Sequence, residues 1–174
     1  MDASPELVVL LSDDGTRVGT AEKATVHTSE TPLHLAFSCH LYNDAGEVLV
    51  TRRALSKATW PGVWTNSFCG HPGPDEGFEE AIVRRAGREL GASVVDVEPV
   101  LPDFRYRAVD ASGVVENEVC PVYRAKIVGG LDPADDEIAE YSWVSPEALV
   151  AAVRATPFAF SPWLVMQVEQ WPGA

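Results

Sequence analysis

Two short runs in this sequence carry side chains able to move protons. In Trp64-Thr65-Asn66-Ser67-Phe68-Cys69-Gly70-His71-Pro72, a thiol and an imidazole stand two residues apart. A thiol with an ordinary pKa of ~8.5 can act as acid or base. The other reading of Cys69 is a small buried hydrophobe. In Val115-Glu116-Asn117-Glu118-Val119, two carboxylates point to one face of the chain if the segment is a strand. Carboxylates side by side are costly unless a cation or a shared proton relieves them. A solvent-facing acidic pair on an edge strand is the alternative, although Val114, Val115, Val119 and Cys120 argue for partial burial. The histidines add ligand capacity: His27 and His34 lie seven residues apart, and His40 shares a strand face with His34. Each alone reads as readily as a packed or surface residue. Three imidazoles with two carboxylates make a five-ligand N/O set with a sixth position open, which suits Mn2+, Mg2+ or Zn2+.

From Gly70 the spacing runs Gly70-x5-Glu76-x7-Arg84-Arg85-Ala86-Gly87-Arg88-Glu89-Leu90-Gly91. This resembles the Nudix box, G-x5-E-x7-R-E-U-x-E-E-x-G-U, with U aliphatic. Gly70, Glu76, Arg84, Glu89 and Gly91 match, whereas Arg85 and Arg88 stand where the family has metal-binding glutamates. Guanidinium groups at those positions remove metal-binding charge and add phosphate donors. The box therefore reads as a domain that grips a diphosphate without the means to cut it.

Further runs narrow the resemblance. His34-Leu35-Ala36-Phe37-Ser38, Leu49 to Lys57, Trp60 to Ser67, Cys69-Gly70-His71-Pro72, Tyr106-Arg107-Ala108, Glu116 to Pro121 and Phe160-Ser161-Pro162-Trp163 look like the type I isopentenyl-diphosphate isomerases, over roughly residues 6–168. The resemblance implies a Nudix-like α/β/α sandwich with a mixed sheet. It implies reversible movement of a double bond in an allylic or homoallylic diphosphate, by protonation and deprotonation through a carbocation. It places the acid/base pair on Cys69 and Glu118, with Tyr106 assisting the glutamate. It places one metal on His27, His34, His71, Glu116 and Glu118, and a Mg2+ accompanying the diphosphate on Glu89. Lys23, Arg53, Lys57 and Arg85 match its diphosphate-binding positions, and Trp163 offers a ring face to the cation. His40, Cys39 and Cys120 match no functional position and are assigned to structure. A Nudix hydrolase and a non-enzymatic metal-binding module are the competing readings. Arg85 and Arg88 count against the first, and a free thiol beside the ligands counts against the second.

These residues need elements to hold them. Glu6–Leu11 reads as a strand ended by Asp13-Asp14-Gly15, followed by a polar stretch to about Pro32. His34–Tyr42 alternates, with Leu35, Phe37, Cys39 and Leu41 on one face. It forms a hairpin with Glu47–Arg53 through Asn43-Asp44-Ala45-Gly46. Thr65–Cys69 is a short strand, and Glu76–Leu90 is a helix stopped by Gly91. Val94–Leu101, Phe104–Val109, Val114–Val128 and Ala139–Val144 read as extended. Ser145-Pro146 and Ser161-Pro162 start two last helices. The pattern predicts one α/β domain spanning 1–174.

Composition limits the partners. The 174 residues are 46% apolar and 22% charged, ordinary for a globular chain able to bury a core. Lys and Arg number 13 against 26 Asp and Glu, a net charge of −13, which excludes the broad positive field that nucleic acid or an anionic membrane would need. Eight of the 13 cations (Arg52, Arg53, Lys57, Arg84, Arg85, Arg88, Arg105 and Arg107) fall between positions 52 and 107, which fits a small anion, or else surface ion pairs. Three cysteines without a C-x-x-C, no signal-peptide pattern and no apolar run of ~20 residues predict a cytoplasmic protein, expected to be a monomer.

Overall fold

The computed structural model describes residues 5–171, so the ends of the expected 1–174 domain lie outside the described residues. Two sheets share the strands. The first has the order β2-β1-β3-β10-β9, from β1 (Leu7–Leu11), β2 (Arg17–Glu22), β3 (His34–Leu35), β9 (Arg105–Val109) and β10 (Val115–Val119). The second has the order β12-β5-β4-β11-β8, from β4 (Phe37–Tyr42), β5 (Val48–Arg53), β8 (Ser93–Leu101), β11 (Val122–Val128) and β12 (Ile138–Val144). Two short strands join it, β6 (Trp64–Thr65) on β5 and β7 (Phe68–Gly70) on β4. β10 runs parallel to β3 and β11 parallel to β4, so the sheets are mixed.

Helices cover both faces of the second sheet, giving the expected α/β/α layering. On one face lies α2 (Phe78–Leu90), where Ala81, Ile82, Ala86 and Leu90 pack on Phe37, Cys39, Leu41 and Leu49. Wholly buried side chains of the size of Ile82 and Leu90 each stabilise the fold by roughly 1.5–3 kcal/mol. On the other face, α3 (Pro146–Ala155) and α4 (Pro162–Gln170) bury Leu149, Val153, Leu164 and Val168 against Val48 and Val50. Both helices begin as the Ser-Pro pairs predict: Ser145 Oγ accepts from the Ala148 amide at 3.1 Å and Ser161 Oγ from that of Leu164 at 3.4 Å.

Several sequence expectations need correction. The extended run His34–Tyr42 is two strands in two sheets, broken at Ala36, whose amide donates to Val119 O at 2.9 Å. Val114–Val128 divides in the same way at Cys120-Pro121, since a proline has no amide to continue the ladder. The chain thus crosses between sheets twice, side by side, and the crossings bring His34 and Glu118 together at aligned positions. Both faces of β4 are buried, so its alternation separates two cores rather than core from solvent. The polar stretch before Pro32 contains β2 and a four-residue helix α1 (Lys23–Val26). Thr65–Cys69 is interrupted at Asn66-Ser67, and the central helix starts at Phe78 rather than Glu76.

Gly70 and Gly91 carry the box's geometry. A Cβ on Gly70 would lie 2.7 Å from Arg85 Cγ and 2.8 Å from the Phe37 ring, so only glycine lets α2 approach β7 this closely. Gly91 has φ +58° and ends α2 in the left-handed conformation, as the sequence predicts.

Candidate active site

A cavity of about 500 Å3 opens where the two sheets, α1, α2 and the first turn of α4 meet. Twelve of the thirteen sequence-predicted site residues line it: Lys23, His27, Arg53, Lys57, Cys69, His71, Arg85, Glu89, Tyr106, Glu116, Glu118 and Trp163. His34, the thirteenth, lies wholly buried behind Glu118. A neighbouring cleft of about 620 Å3 is larger, yet Arg84 is its only Lys or Arg, set among Glu6, Asp75, Glu76 and Glu80.

One wall is a ligand set. Nitrogens of His27, His34 and His71 and a carboxylate oxygen of Glu118 lie within 4.8 Å of one another. Glu118 Oε1 is 3.3 Å from His34 Nε2 and 3.1 Å from His71 Nε2. Glu116 lies outside this tight group but places Oε2 3.0 Å from His27 Nε2, while its Oε1 accepts from Thr59 Oγ1 at 3.0 Å. His34 Nδ1 sits 2.9 Å from Pro32 O, which puts a hydrogen on that nitrogen and leaves the Nε2 lone pair for the cavity side. His27 Nε2, His34 Nε2 and Glu116 Oε2 are buried without a hydrogen-bond partner among the described residues. The converging donors of His27, His34, His71 and Glu118 fit a divalent cation, with Glu116 beside His27. Burial would raise the Glu118 pKa, but the adjacent His34 and His71 rings hold it well below the ordinary range. Burial lowers His71, while for His34 the adjacent Glu118 carboxylate overcomes burial and raises it.

The thiol lines the same cavity from β7. Cys69 is partly exposed to the cavity, and burial pushes its pKa up to about 12 against its hydrogen bonds with Ser38 and Asn66. It is therefore a neutral thiol at pH 7. Tyr106 stands opposite Glu118 in the β9–β10 ladder. Burial, then the charges of Glu118 and Glu116, raise its pKa well above the ordinary value, so it too keeps its proton. Trp163 closes the apolar side, packed edge-on against Trp60 at 5.4 Å and tilted to Tyr106 at 5.7 Å, with Arg53 Cζ 5.5 Å from its ring centre.

The cavity also collects cations. Lys23 bonds Glu6 at 3.1 Å, and Arg53 donates Nε and Nη2 to Thr59 O at 3.1 and 2.9 Å. Arg85 and Glu89 lie four residues apart on the inner face of α2 and pair with each other; Arg85 also lies 3.5 Å from Glu137, which pairs with Lys57. Burial raises Glu89 despite Arg85, whereas these carboxylates raise Arg85 despite its burial. Arg85 Nε has no partner among the described residues. The basic cluster read from the sequence divides: Arg53, Lys57, Arg85 and Arg88 line the cavity. Arg52 and Arg84 bind Glu140 and Glu76 away from it, and Arg105 reaches Asp13 O. Sequence reasoning missed Glu6, Thr59, Asn66 and Gln167. All are ordinary polar residues whose roles depend on packing partners.

A NUDIX domain model matches residues 32–164. A protein from Clavibacter michiganensis subsp. michiganensis named isopentenyl-diphosphate Delta-isomerase is 63% identical over 168 residues, covering 97% of this chain and 87% of that protein. One of the same name from Leifsonia xyli subsp. xyli is 64% identical over 165 residues, covering 94% and 89%. A crystal structure from Deinococcus radiodurans superposes with TM-score 0.72 at 20% identity, covering 95% of this chain and 99% of that one, which is a likeness of fold. The chain belongs to the Nudix family and, within it, to the isopentenyl-diphosphate Delta-isomerases.

Proposed function

We propose that this protein interconverts isopentenyl diphosphate and dimethylallyl diphosphate, an isomerisation of isoprenoid biosynthesis, by proton transfer between two walls of one cavity. The observation that carries the mechanism is one cavity of about 500 Å3 lined together by the Cys69 thiol, the paired Glu118 and Tyr106, and the cations Lys23, Arg53, Lys57 and Arg85. Moving the double bond requires a proton added at the terminal carbon and another removed from the carbon next to the CH2–O. Groups on opposite sides of a flat substrate can do both. Cys69 is one of these groups and Glu118, assisted by the Tyr106 hydroxyl, is the other. The reverse reaction exchanges their roles. Lys23, Arg53, Lys57 and Arg85 hold the diphosphate, which fixes the hydrocarbon between the walls. The Trp163 ring supplies a π face to the tertiary cation, worth up to ~2 kcal/mol when water is excluded, and Trp60 and Trp163 keep water from adding to it.

Divalent metal binding fits the orphaned nitrogens described above. His27, His34, His71, Glu118 and Glu116 would hold one ion, Mn2+, Mg2+ or Zn2+, and Glu89 a Mg2+ that arrives with the diphosphate. Such an ion supplies fixed positive charge that neutralises and orients oxygen ligands. The substrate is a small diphosphate.

Proton NMR of purified protein with isopentenyl diphosphate tests the reading. Formation of the dimethylallyl isomer, lost in EDTA and restored by divalent metal, is expected. Release of phosphate without isomer would establish a hydrolase instead.

A further inference from the structure

The sulfur of Cys69 has two hydrogen-bond partners: Asn66 Oδ1 at 3.4 Å, to which it donates, and Ser38 Oγ at 3.3 Å. Both partners are wholly buried, and α4 grips both. Trp163 Nε1 donates to Asn66 Oδ1 at 3.0 Å, and one turn later Gln167 Nε2 donates to Ser38 Oγ at 2.9 Å. Residues four apart share a helix face, so a single docking of α4 sets both contacts. Behind Gln167, its Oε1 lies 2.9 Å from Nε2 of buried His40. Burial lowers the His40 pKa to about 4 against the Gln167 bond, so the ring is neutral and donates through Nε2.

The directions then follow from donor and acceptor inventories. His40 donates to the Gln167 carbonyl, and the Gln167 amide donates to the Ser38 oxygen. The single Ser38 hydrogen is left for sulfur, either Cys69 or Cys120 at 3.5 Å. An amide passes no proton along, so this chain orients rather than conducts. The buried polar side chains His40, Gln167, Ser38 and Asn66 are costly to desolvate, and each is hydrogen-bonded here.

We propose that Ser38, Gln167 and His40 are positioning residues: held by α4, they fix the Cys69 side chain from behind so that its sulfur meets the reacting carbon. This rests on Cys69 being the proton-transfer group proposed above. A sulfur free to rotate out of line still permits substrate binding, because the diphosphate is held by other side chains, Lys23, Arg53, Lys57 and Arg85, but it loses the aligned geometry for transfer.

The test compares Cys69→Ser, Ser38→Ala, Gln167→Met and the double variant Ser38→Ala/Gln167→Met, all metal-replete, for kcat, KM for isopentenyl diphosphate, bound metal and Tm. Ser38→Ala and Gln167→Met are each expected to lower kcat about tenfold, the size of one lost hydrogen bond, with KM and bound metal unchanged. The double variant should be no slower than Ser38→Ala, since Gln167 acts through Ser38. Wild-type kcat in Ser38→Ala, or losses that multiply in the double variant, would overturn the proposal. Ser38→Ala deletes one oxygen and leaves the β4 backbone ladder untouched, so it decides alone through its kcat-against-KM split should Gln167→Met fail to fold. Loss of turnover in Cys69→Ser with wild-type kcat in Ser38→Ala would overturn only the positioning. Wild-type turnover in Cys69→Ser would overturn the catalytic reading, and this inference with it.

Discussion

On the wall built from β3, β10 and the end of α1, His27 Nε2, His34 Nε2 and Glu116 Oε2 are buried without hydrogen-bond partners among the described residues. On the wall built from β4, β7 and α4, Ser38, Asn66, Gln167 and His40 are equally buried, yet each has a partner within 3.1 Å. A buried unpartnered polar group costs roughly 1–3 kcal/mol. The first wall is therefore incomplete as protein alone, and a cation that gathers its lone pairs relieves that cost. The second wall is complete without any ligand. The contrast matches the two tasks proposed above: one wall to recruit a cation, the other to keep the Cys69 sulfur in place.

The largest effect expected is at the thiol. Cys69→Ala should lower kcat by about 10²–10⁴, the usual contribution of a general acid or base, while elemental analysis finds wild-type metal content. Loss of metal would mean that the two walls are not separable. The next effect divides the ligand wall itself. Glu118→Gln should stay inactive at any metal concentration, because an amide offers an oxygen to a metal but no acid or base. Glu116→Gln, outside the tight group of four donors, should regain turnover as Mn2+ or Mg2+ is titrated into EDTA-stripped protein. Full rescue of Glu118→Gln would reassign it to ligation alone.

A smaller effect belongs to the cationic end. Lys23→Gln should raise KM about tenfold, ~1.4 kcal/mol, with metal content and kcat near wild type; an unchanged KM would make Lys23 no more than a partner of Glu6. The smallest concerns pH. His40 has a folded pKa of about 4, below the ordinary 6.5, so the unfolded chain binds more protons between these values. Its contribution to stability is full above 6.5 and is lost as pH falls from 6.5 towards 4, by at most about 3 kcal/mol. Thermal unfolding should show a shallower acid decline in His40→Gln than in wild type over that window.

The ligand wall was far more legible in the sequence than the thiol's backing. Cys69, His71, Glu116 and Glu118 stand in short runs whose chemistry is local, and the box spacing locates α2 through Gly70 and Gly91. Gln167 carries no such signal: it is a polar residue in a helix, and only the docking of α4 on β4 turns it inward. Strand β2 is almost wholly exposed, so it lacks the alternation that reveals a strand. The breaks at Ala36 and Cys120-Pro121 lie inside apolar runs, where periodicity reports burial but not which sheet is joined. Charge clustering left a small anion and surface ion pairs equally open, and both occur: Arg53, Lys57, Arg85 and Arg88 line the cavity, Arg52, Arg84 and Arg105 bind partners elsewhere, and Lys23 enters from outside the cluster.

Isomerisation in D2O tests proton transfer between the two walls most directly. Metal-replete protein is incubated with isopentenyl diphosphate and the products are followed by proton, deuterium and phosphorus NMR. Protons carried by Cys69, Tyr106 and Glu118 exchange with solvent, so deuterium should enter the new methyl group of dimethylallyl diphosphate, with all phosphorus remaining as diphosphate ester. A dimethylallyl product free of deuterium would show a direct internal hydrogen shift and contradict the role of both walls. Phosphate or pyrophosphate in place of that product would contradict the isomerase itself.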